Sequence, residues 1–519
     1  MPASQGGLRA AVGSLPLPSF GVAGIWVSIA VLVGGTLAPP LGGLEREMQL
    51  VLAVFLFALV LWLTEAVPYV VSSTLAPVLL FALGLVPAFE DAVSGFASTL
   101  VFFLLLLLLL GGAISKVGLG KIVASRMLST QSTPRTTVRS LSTHMVGLSL
   151  LMPSAVARAV TFIPVVNQMT DAYGLPDDGA FRKASFIVLG HINPIGSMML
   201  MTGGGMAIIT SQLINESVRT ITWVQWAVYM IPPMALLFWL STVSALIVYG
   251  VDDDLTLTTA DGDGETRADG DNTEAEPDGG SAGAEADGGN TEDGVGDVFD
   301  VNGDDDSTDG ETALTRDQRI VTLVMLGAVV AWIAGSFAGI PTIVPAAAAV
   351  AVLSVPGVGI VDRDLIADVS WGILFLIGAM FSILDAMEAT GTLDYVVETL
   401  IAVVPFGAMA PWLVIGTLLV LAVFIRLWFS TASAAIVVTL PIIMEFASVL
   451  GLNELYLALS VLIVVGSTTF FPFNTTSVLL SYDKGPLGLG DVFAFGLVTM
   501  VHGGLVIVLS WLFYWPLVV

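Results

Sequence analysis

Cysteine is missing from this 519-residue sequence, and histidine occurs only three times. Disulfides, thiolate metal sites and a cysteine nucleophile are therefore excluded, and a zinc site rich in histidine is not expected. Charged residues are also scarce, at 12% of the chain, whereas 55% of the residues are hydrophobic. Soluble proteins carry about 25% charged residues. These deficits argue against a soluble enzyme and predict a membrane protein.

The motifs of common enzymes and of nucleotide-driven pumps are missing as well. No Walker motif is present, which disfavours transport driven by ATP. No pair of carboxylates and no Ser/His/Asp grouping stands out as hydrolytic, so we expect neither an enzyme nor an organic cofactor. Many apolar runs instead approach the ~20 residues that a helix needs to cross a bilayer. The predicted fold class is an all-α polytopic membrane protein.

An acidic segment, 252–312, divides the chain. It holds 22 acidic residues and a single basic one, Arg267, and thus −21 of the net charge of −26. Because it is rich in Asp, Gly, Glu and Thr, it has too little apolar surface to offset the entropy of ordering. We predict a disordered cytoplasmic linker between two membrane halves, 1–251 and 313–519.

The order of apolar segments in the first half is repeated in the second. The interrupted segments are two hairpins near 143–170 and 411–449 and two broken spans, near 183–214 (at Asn193-Pro194 and at 203–205) and near 455–481 (around 472–477). Unwound backbone at membrane depth needs protein or water to form hydrogen bonds with its N–H and C=O groups. Paired interruptions in the two halves are therefore typical of secondary transporters built from inverted repeats, where they line the transport site. We predict about 11 transmembrane helices plus two re-entrant helical hairpins.

Lysine and arginine are distributed unevenly between the two sides of the predicted membrane region. With re-entrant hairpins, only Arg46 and Arg219 fall on one side, whereas the other side holds most of the basic loop residues. Cytoplasmic loops carry such an excess, so the N-terminus and the acidic linker are predicted to lie inside the cell. We expect a multi-pass protein of the plasma membrane, a homodimer, with lipid and a small anion as partners and no nucleic acid.

One segment, Leu61-Trp62-Leu63-Thr64-Glu65-Ala66-Val67-Pro68, is followed by the apolar run 75–81. This pattern resembles the divalent-anion/sodium symporter family, which includes sodium–dicarboxylate and sulfate cotransporters and the plastid 2-oxoglutarate/malate translocators. The resemblance covers the chain except for the linker. It implies an elevator-type transporter of small divalent anions, with sodium as the coupling ion.

Hairpin tips of that family carry Ser-Asn-Thr ten residues before a proline, and in the plastid branch the first tip reads Pro-Ser-Asn-Thr-Ala-Arg. Here the tips read 154–156 before Pro164 and 431–433 before Pro441, and both family asparagines are replaced by alanine. The resemblance implies substrate contacts at Ser154, Ala155, Val156, Arg158, Thr431, Ala432 and Ser433.

Broken helices of the family carry Ile-Gly-Thr and Thr-Pro-Pro-Asn. In this sequence Ile195-Gly196-Ser197 matches the first motif, Thr202 precedes three glycines in place of the second, and Pro472 stands before three hydroxyl residues in the second half. Freed carbonyls and hydroxyls at helix breaks can bind a monovalent cation. The predicted sodium ligands are Ser154, Asn193, Gly196, Ser197, Thr202, Thr431, Asn474, Thr475 and Thr476.

Three ionisable residues inside apolar segments have two interpretations each. An arginine within the membrane is costly and faces a polar partner, and its planar fork suits an anion. Arg158 is therefore either an anion contact or a structural residue. For Arg426 we favour a structural role, in which the side chain pairs with Asp385 or Glu388 or reaches an interface. His191 is interpreted as a core residue, with proton coupling as the alternative.

The predicted function is sodium-coupled secondary transport of a C4-dicarboxylate-like dianion, with sulfate as the nearest substitute. Because both hairpin asparagines are missing, proton coupling or anion exchange on the same fold stays open. From another class, a membrane sensor without flux, whose linker binds a partner, also stays open.

Overall fold

Long apolar helices make up the described part of the chain, and no β-strand occurs within it. The computed structural model describes residues 20–40, 42–120, 122, 133–149, 152, 154–251, 314–403, 406 and 409–519. The predicted linker, 252–312, lies outside the described residues, and so does Pro153 in the first hairpin.

The first half ends in a long helix that precedes the linker. Its α-helices are α1 (Phe20–Leu37), α2 (Arg46–Thr64), α3 (Tyr69–Ala82), α4 (Phe89–Ala92), α5 (Thr99–Lys116), α6 (Pro134–Ser149), α7 (Ala155–Ala172), α8 (Ala180–Ile187), α9 (Asn193–Gly196), α10 (Gly205–Ser217) and α11 (Trp223–Tyr249), with a 3-10 turn at Ser94–Ala97 and a π-turn at Val188–Ile192.

The second half begins with another long helix and repeats the pattern of interrupted segments. Its α-helices are α12 (Arg316–Ala338), α13 (Ile343–Ser354), α14 (Arg363–Ala367), α15 (Trp371–Ala389), α16 (Thr392–Val403), α17 (Pro411–Arg426), α18 (Ala432–Val449), α19 (Glu454–Ser467), α20 (Thr476–Lys484), α21 (Leu489–Leu509) and α22 (Trp515–Val518), with a 3-10 turn at Pro472–Asn474 and a π-turn at Ser510–Tyr514.

Helix ends follow from local sequence. The N-cap threonines of α11 and α12, Thr222 and Thr315, each form a capping box with a glutamine three residues later. Both helices end at a glycine in the left-handed region, Gly250 and Gly339, which terminates a helix without a Cβ clash. The same start and stop signals therefore set the length of the two long helices that flank the linker.

Membrane-crossing character is clear from length and exposure. Within the described residues, seven helices are long and apolar enough to cross a membrane by length and composition. The apolar stretch of α12 is only 28% buried, whereas the apolar stretch of α18 is 67% buried. Phe337 in α12 is 80% exposed. A helix that is apolar all round and exposed needs lipid to cover it. Helix α12 thus lies at the lipid boundary and α18 in the interior.

Both membrane halves form one compact unit, and its interior includes α18 and α19, which are mostly buried. Helix α7 of the first hairpin packs against α20 of the second half, and α18 of the second hairpin packs against α10 of the first. Each hairpin therefore contacts the broken helix of the opposite half. The number of transmembrane helices and the elevator motion stay predictions.

One predicted interruption is misplaced. The sequence placed a break at Asn193-Pro194, but these residues continue the helix as the first turn of α9. Pro194 has no backbone N–H to donate within a helix. The π-turn Val188–Ile192 directly before these residues accommodates the missing hydrogen bond without unwinding the chain. The backbone leaves the helix only after Gly196, and the gap runs to the three glycines at the start of α10.

Candidate functional site

The first hairpin consists of α6, which ends at Ser149, and α7, which begins at Ala155. Ser154 is the N-cap of α7, and its hydroxyl accepts a hydrogen bond from the N–H of Ala157 at 3.2 Å. The predicted substrate residues Ala155 and Val156 form the first turn of this helix. An N-terminal turn presents free N–H groups and a positive partial charge, which suits an anion.

Arg158 lies in the same turn and is fully buried. Its Nε donates to Oδ1 of Asn193 at 2.7 Å, its Nη1 donates to the carbonyl of Met152, and its Nη2 donates to the hydroxyl of Ser197 and to the carbonyl of Asn193 at 3.4 Å. The guanidinium group therefore ties the tip of the first hairpin to the broken helix of the same half.

The second hairpin has the same cap. Thr431 is the N-cap of α18, and its hydroxyl accepts from the N–H of Ala434 at 3.2 Å. Ala432 and Ser433 follow in the first turn. Pro164 in α7 and Pro441 in α18 occupy matching places in the two hairpins, so the repeat predicted from sequence extends to the second helix of each hairpin.

Arg426, the last residue of α17, is also fully buried. Its Nη1 donates to the carbonyl of Phe429 at 2.8 Å, and its Nη2 donates to the carbonyl of Asn474 and to the hydroxyl of Thr475 at 2.8 Å. Its Nε donates to the carbonyl of Val465 at 3.3 Å. In the described part of the chain, carbonyl and hydroxyl oxygens surround this guanidinium group, and no hydrogen bond or ion pair joins it to the predicted partners Asp385 and Glu388.

Each hairpin tip is fastened by an asparagine as well. The Nδ2 of Asn193 donates to the carbonyl of Ala155 at 2.7 Å. The Nδ2 of Asn474 donates to the carbonyls of Leu427 and Phe429 at 3.0 and 3.2 Å. Because unpaired buried carbonyls cost free energy, these amides satisfy the backbone where each hairpin turns.

The two halves meet near the helix N-termini. Gly205 begins α10 in the first half, and a Cβ built on it would lie 2.8 Å from the hydroxyl oxygen of Ser433 at the start of α18. A larger residue at Gly205 would push this hydroxyl aside. On the other side of the interior, the hydroxyl of Ser477 donates to the carbonyl of Gly190 at 3.0 Å.

Comparison with known proteins supports the resemblance seen in the sequence. The family described as "Sodium:sulfate symporter transmembrane region" matches residues 22–519. The chain belongs to the sodium:sulfate symporter family. Such family members are secondary transporters of divalent anions and multi-pass membrane proteins.

Individual relatives are distant. A "Membrane protein" of Cupriavidus necator is 22% identical over 81% of this chain and 77% of its own length. "Sodium-dependent high-affinity dicarboxylate transporter 2" of Caenorhabditis elegans is 23% identical over 43% of this chain and 46% of its own. "Sodium-dependent dicarboxylate transporter SdcS" of Staphylococcus saprophyticus is 24% identical over 37% of this chain and 38% of its own.

A solved structure supports the fold alone. The YdaH transporter of Alcanivorax borkumensis matches with a TM-score of 0.52 and 13% identity, over 96% of this chain and 100% of that one. The all-helical transporter fold predicted from the sequence is therefore confirmed, whereas this likeness says nothing about substrate or coupling ion.

Four predicted sodium ligands of this family member lie at the breaks, and the side-chain oxygens of three of them accept hydrogen bonds from guanidinium groups. Oδ1 of Asn193 and the hydroxyl of Ser197 accept from Arg158, and the hydroxyl of Thr475 accepts from Arg426. Oδ1 of Asn474 accepts from the N–H of Phe471 at 3.1 Å. A sodium ion does not fit at a place that a guanidinium group already fills.

Other predicted residues lie near these breaks with separate contacts. The hydroxyl of Thr202 accepts from the indole N–H of Trp223 at 3.2 Å, and the carbonyl of Gly196 accepts from the hydroxyl of Ser149 at 3.3 Å. Thr476 is the first residue of α20. His191 is buried in the π-turn, with its ring edge-on to that of Phe495 at 5.6 Å between centroids.

Sequence reasoning missed the shared role of the two arginines. Arg158 follows its hairpin tip and Arg426 precedes its own, so the motif comparison did not align them. The available signal was that each apolar hairpin contains one arginine within five residues of the tip. Glu65, the glutamate of the family motif, accepts a hydrogen bond from the hydroxyl of Ser430 in the second hairpin.

Proposed function

We propose that the protein carries a C4-dicarboxylate-like dianion across the cell membrane, with sulfate as the nearest substitute. The observation that carries this proposal is the meeting of two helix N-termini from opposite halves at Gly205 and Ser433. N–H groups at helix N-termini attract anions. In transporters with broken helices, such termini point at the anionic group of the substrate near the membrane midplane.

The proposed substrate contacts are the first turns of α7 and α18. Hydroxyl groups of Ser154, Thr431 and Ser433 and the backbone N–H groups of the same turns supply donors. Ala155, Val156 and Ala432 contribute only backbone groups. A carboxylate or sulfate takes several such neutral donors, and two turns suit the two charged ends of a dianion.

Sodium is the first coupling ion to test. Two relatives are named as sodium-dependent dicarboxylate transporters, and the predicted ligands at the helix breaks include Thr202, Thr431 and Thr476. Proton coupling through His191 and anion exchange are the alternatives. We further propose a plasma-membrane location with the N-terminus and the linker in the cytoplasm, and a homodimer.

Counterflow in proteoliposomes tests the substrate. Vesicles loaded with unlabelled succinate, sulfate or phosphate receive a trace of the labelled anion outside, in sodium, potassium or choline salt of matched ionic strength. We expect labelled succinate to accumulate transiently, labelled sulfate to follow more weakly, and phosphate not to accumulate. Binding of these anions without any counterflow would instead favour the membrane sensor.

A substitution of Gly205 tests the proposed position of the substrate. Gly205→Ala should lower apparent succinate affinity about tenfold, close to 1.4 kcal/mol, because its methyl group displaces the hydroxyl of Ser433. Gly205→Ala combined with Ser433→Ala should recover part of that loss. Gly327→Ala is the matched control, because a Cβ built on Gly327 in α12 meets nothing within 4 Å. Equal apparent succinate affinity in Gly205→Ala and the control would show that the substrate does not bind next to Gly205.

A further inference from the structure

Two buried positive charges lie at the helix breaks without a carboxylate partner. Arg158 and Arg426 are both 0% exposed. The ion pairs of the described residues, such as Lys116–Asp362 and Lys183–Asp491, involve neither arginine. A buried charge without a counter-ion is costly, so its retention inside a membrane protein indicates a function.

The two guanidinium groups share three of their four kinds of bond and differ at Nε, which donates to Oδ1 of Asn193 in Arg158 and to the carbonyl of Val465 in Arg426. In each, Nη1 donates to a carbonyl of the hairpin tip, that of Met152 or Phe429. In each, Nη2 donates to the main-chain carbonyl of an asparagine and to a hydroxyl at the helix break. Four neutral oxygens surround each group, in the kind of ligand set that a monovalent cation takes at a broken helix.

The two arginines reach these matching places from different helices. Arg158 lies in the first turn of α7, after its tip, whereas Arg426 ends α17, before its tip. A repeated sequence position therefore does not explain the likeness. What the two halves share is a requirement for a positive charge between the hairpin tip and the helix break.

We infer that Arg158 and Arg426 are tethered cations that stand in place of two coupling sodium ions and make this carrier a sodium-independent exchanger of dianions. The inference rests on the proposed function, because it needs a dianion bound near the hairpin tips. The tip carbonyls and the hydroxyls of Ser197 and Thr475 are then ligands of the guanidinium groups and not of sodium.

Charge balance gives the reason for exchange. Two fixed guanidinium charges and one bound dianion sum to zero, so the loaded site crosses the membrane region as a neutral unit. Without substrate the same site carries two uncompensated positive charges, which are costly to move through a bilayer. A soluble cation can leave with the substrate and reset the empty carrier, but a tethered one cannot. Return therefore requires another dianion.

The first test uses the unmodified protein. Proteoliposomes that contain internal succinate should take up labelled succinate at equal rates in sodium, potassium and choline salts, and an imposed membrane potential should not change the rate. Vesicles without internal dianion should show no net uptake. Counterflow only in sodium would overturn the tethered-cation inference and leave the proposed function standing. No counterflow of any dianion in any salt would overturn both.

The second test removes one charge at a time. Arg158→Ala and Arg426→Ala should each lower counterflow in choline about tenfold or more, as expected for loss of charged hydrogen bonds. Added sodium or guanidinium should restore part of the rate, because either can enter the vacated oxygens. Arg46→Ala is the matched control: Arg46 also donates to a carbonyl, that of Ala38 at 2.8 Å, but it is exposed.

Folded variants are identified by their size-exclusion profile and thermal transition before reconstitution. A folded Arg158→Ala or Arg426→Ala protein that recovers with neither cation would contradict the inference. If neither variant folds, the salt and membrane-potential tests on the unmodified protein still decide it.

Discussion

The two hairpin tips share a capping hydroxyl, a buried arginine and an asparagine, but only the second tip is tied to the N-terminal helices in the described residues. Ser430 donates to Oε1 of Glu65, which also accepts from the hydroxyl of Tyr69 at 2.9 Å. Glu65 ends α2 with a φ of 46°, the one non-glycine residue at positive φ in the described chain. A strained residue that holds a partner is typical of a functional contact.

This difference divides the site into two kinds of contact. The arginine and asparagine bonds join each tip to the broken helix of its own half, so they remain together if the interior moves as one body. The bond between Glu65 and Ser430 joins the interior to α2 and α3, which pack against each other and, through α3, against α15. If the interior moves relative to α2 and α3, this is the contact that breaks and re-forms.

Replacing the asparagines should produce the largest stability effect. Asn193→Ala removes an acceptor of a charged guanidinium and a donor to a buried carbonyl, whereas Asn474→Ala removes bonds to neutral backbone groups alone. We expect a loss of about 3 kcal/mol for Asn193→Ala and about 2 kcal/mol for Asn474→Ala, because bonds to charged groups are stronger. Chemical unfolding in detergent measures both.

Asn167→Ala is the matched control for these two variants. Its Oδ1 accepts from the guanidinium of Arg182 at 3.1 Å, but this pair is only partly buried. A loss of below about 1 kcal/mol is expected there. If Asn474→Ala destabilises the protein more than Asn193→Ala, the first-half guanidinium does not depend on the asparagine oxygen.

Removing the contact of the second tip should change rate more than stability. Glu65→Gln and Ser430→Ala are each expected to alter the counterflow rate a few-fold, equivalent to about 1 kcal/mol. The double variant should show a coupling free energy of about 0.5–1.5 kcal/mol, because the two residues share one bond. Counterflow rates under saturating succinate are measured for the unmodified protein, the two single variants and the double variant, which completes a double-mutant cycle.

Glu90→Gln serves as the control, because Glu90 is an exposed glutamate in α4 without a contact to the second hairpin. Additive effects of Glu65→Gln and Ser430→Ala would show that the bond does not act in transport.

Many features of the two tips can be predicted from the sequence. The others cannot, and the reason is physical. Hydroxyl caps and the prolines ten residues later are local signals, and α7, α18 and the turn at Pro472 begin where these signals predict a start. The continuation of the helix through Asn193-Pro194 depends on a π-turn that has no sequence signature. The partners of Arg426 include main-chain carbonyls up to 48 residues away in the sequence. Because every residue has a carbonyl, the sequence pattern cannot predict which of them the arginine contacts.

The capping hydroxyls should have smaller and equal effects on stability. Ser154→Ala and Thr431→Ala each remove an N-cap bond of 3.2 Å and should cost about 1 kcal/mol. Thermal unfolding in detergent measures this loss. If either hydroxyl also contacts the substrate, the apparent succinate affinity falls by more than the stability change explains, and unequal affinities would identify the tip that holds the substrate more tightly. Ser98→Ala, the cap of α5, is the control.

The smallest effect is expected from the linker between the halves. The start of α12 is held by the folded part of the chain: Nε2 of Gln318 donates to the carbonyl of Val117 at 3.0 Å, and Arg316 donates to the carbonyl of Gly357 at 2.9 Å. Helix α12 also packs against α11, so contacts between the two halves, and not the linker, keep them together.

Replacing 252–312 by a ~15-residue Gly/Ser bridge, which spans on the order of 20 Å, should therefore leave succinate counterflow unchanged. A linker of native length with its Asp and Glu changed to Asn and Gln is the matched control, because it separates the loss of acidic charge from the loss of length. Lost counterflow in the short version alone would indicate that the halves need slack to move. Lost counterflow in both, with normal membrane insertion, would mean that the acidic charge itself takes part in transport.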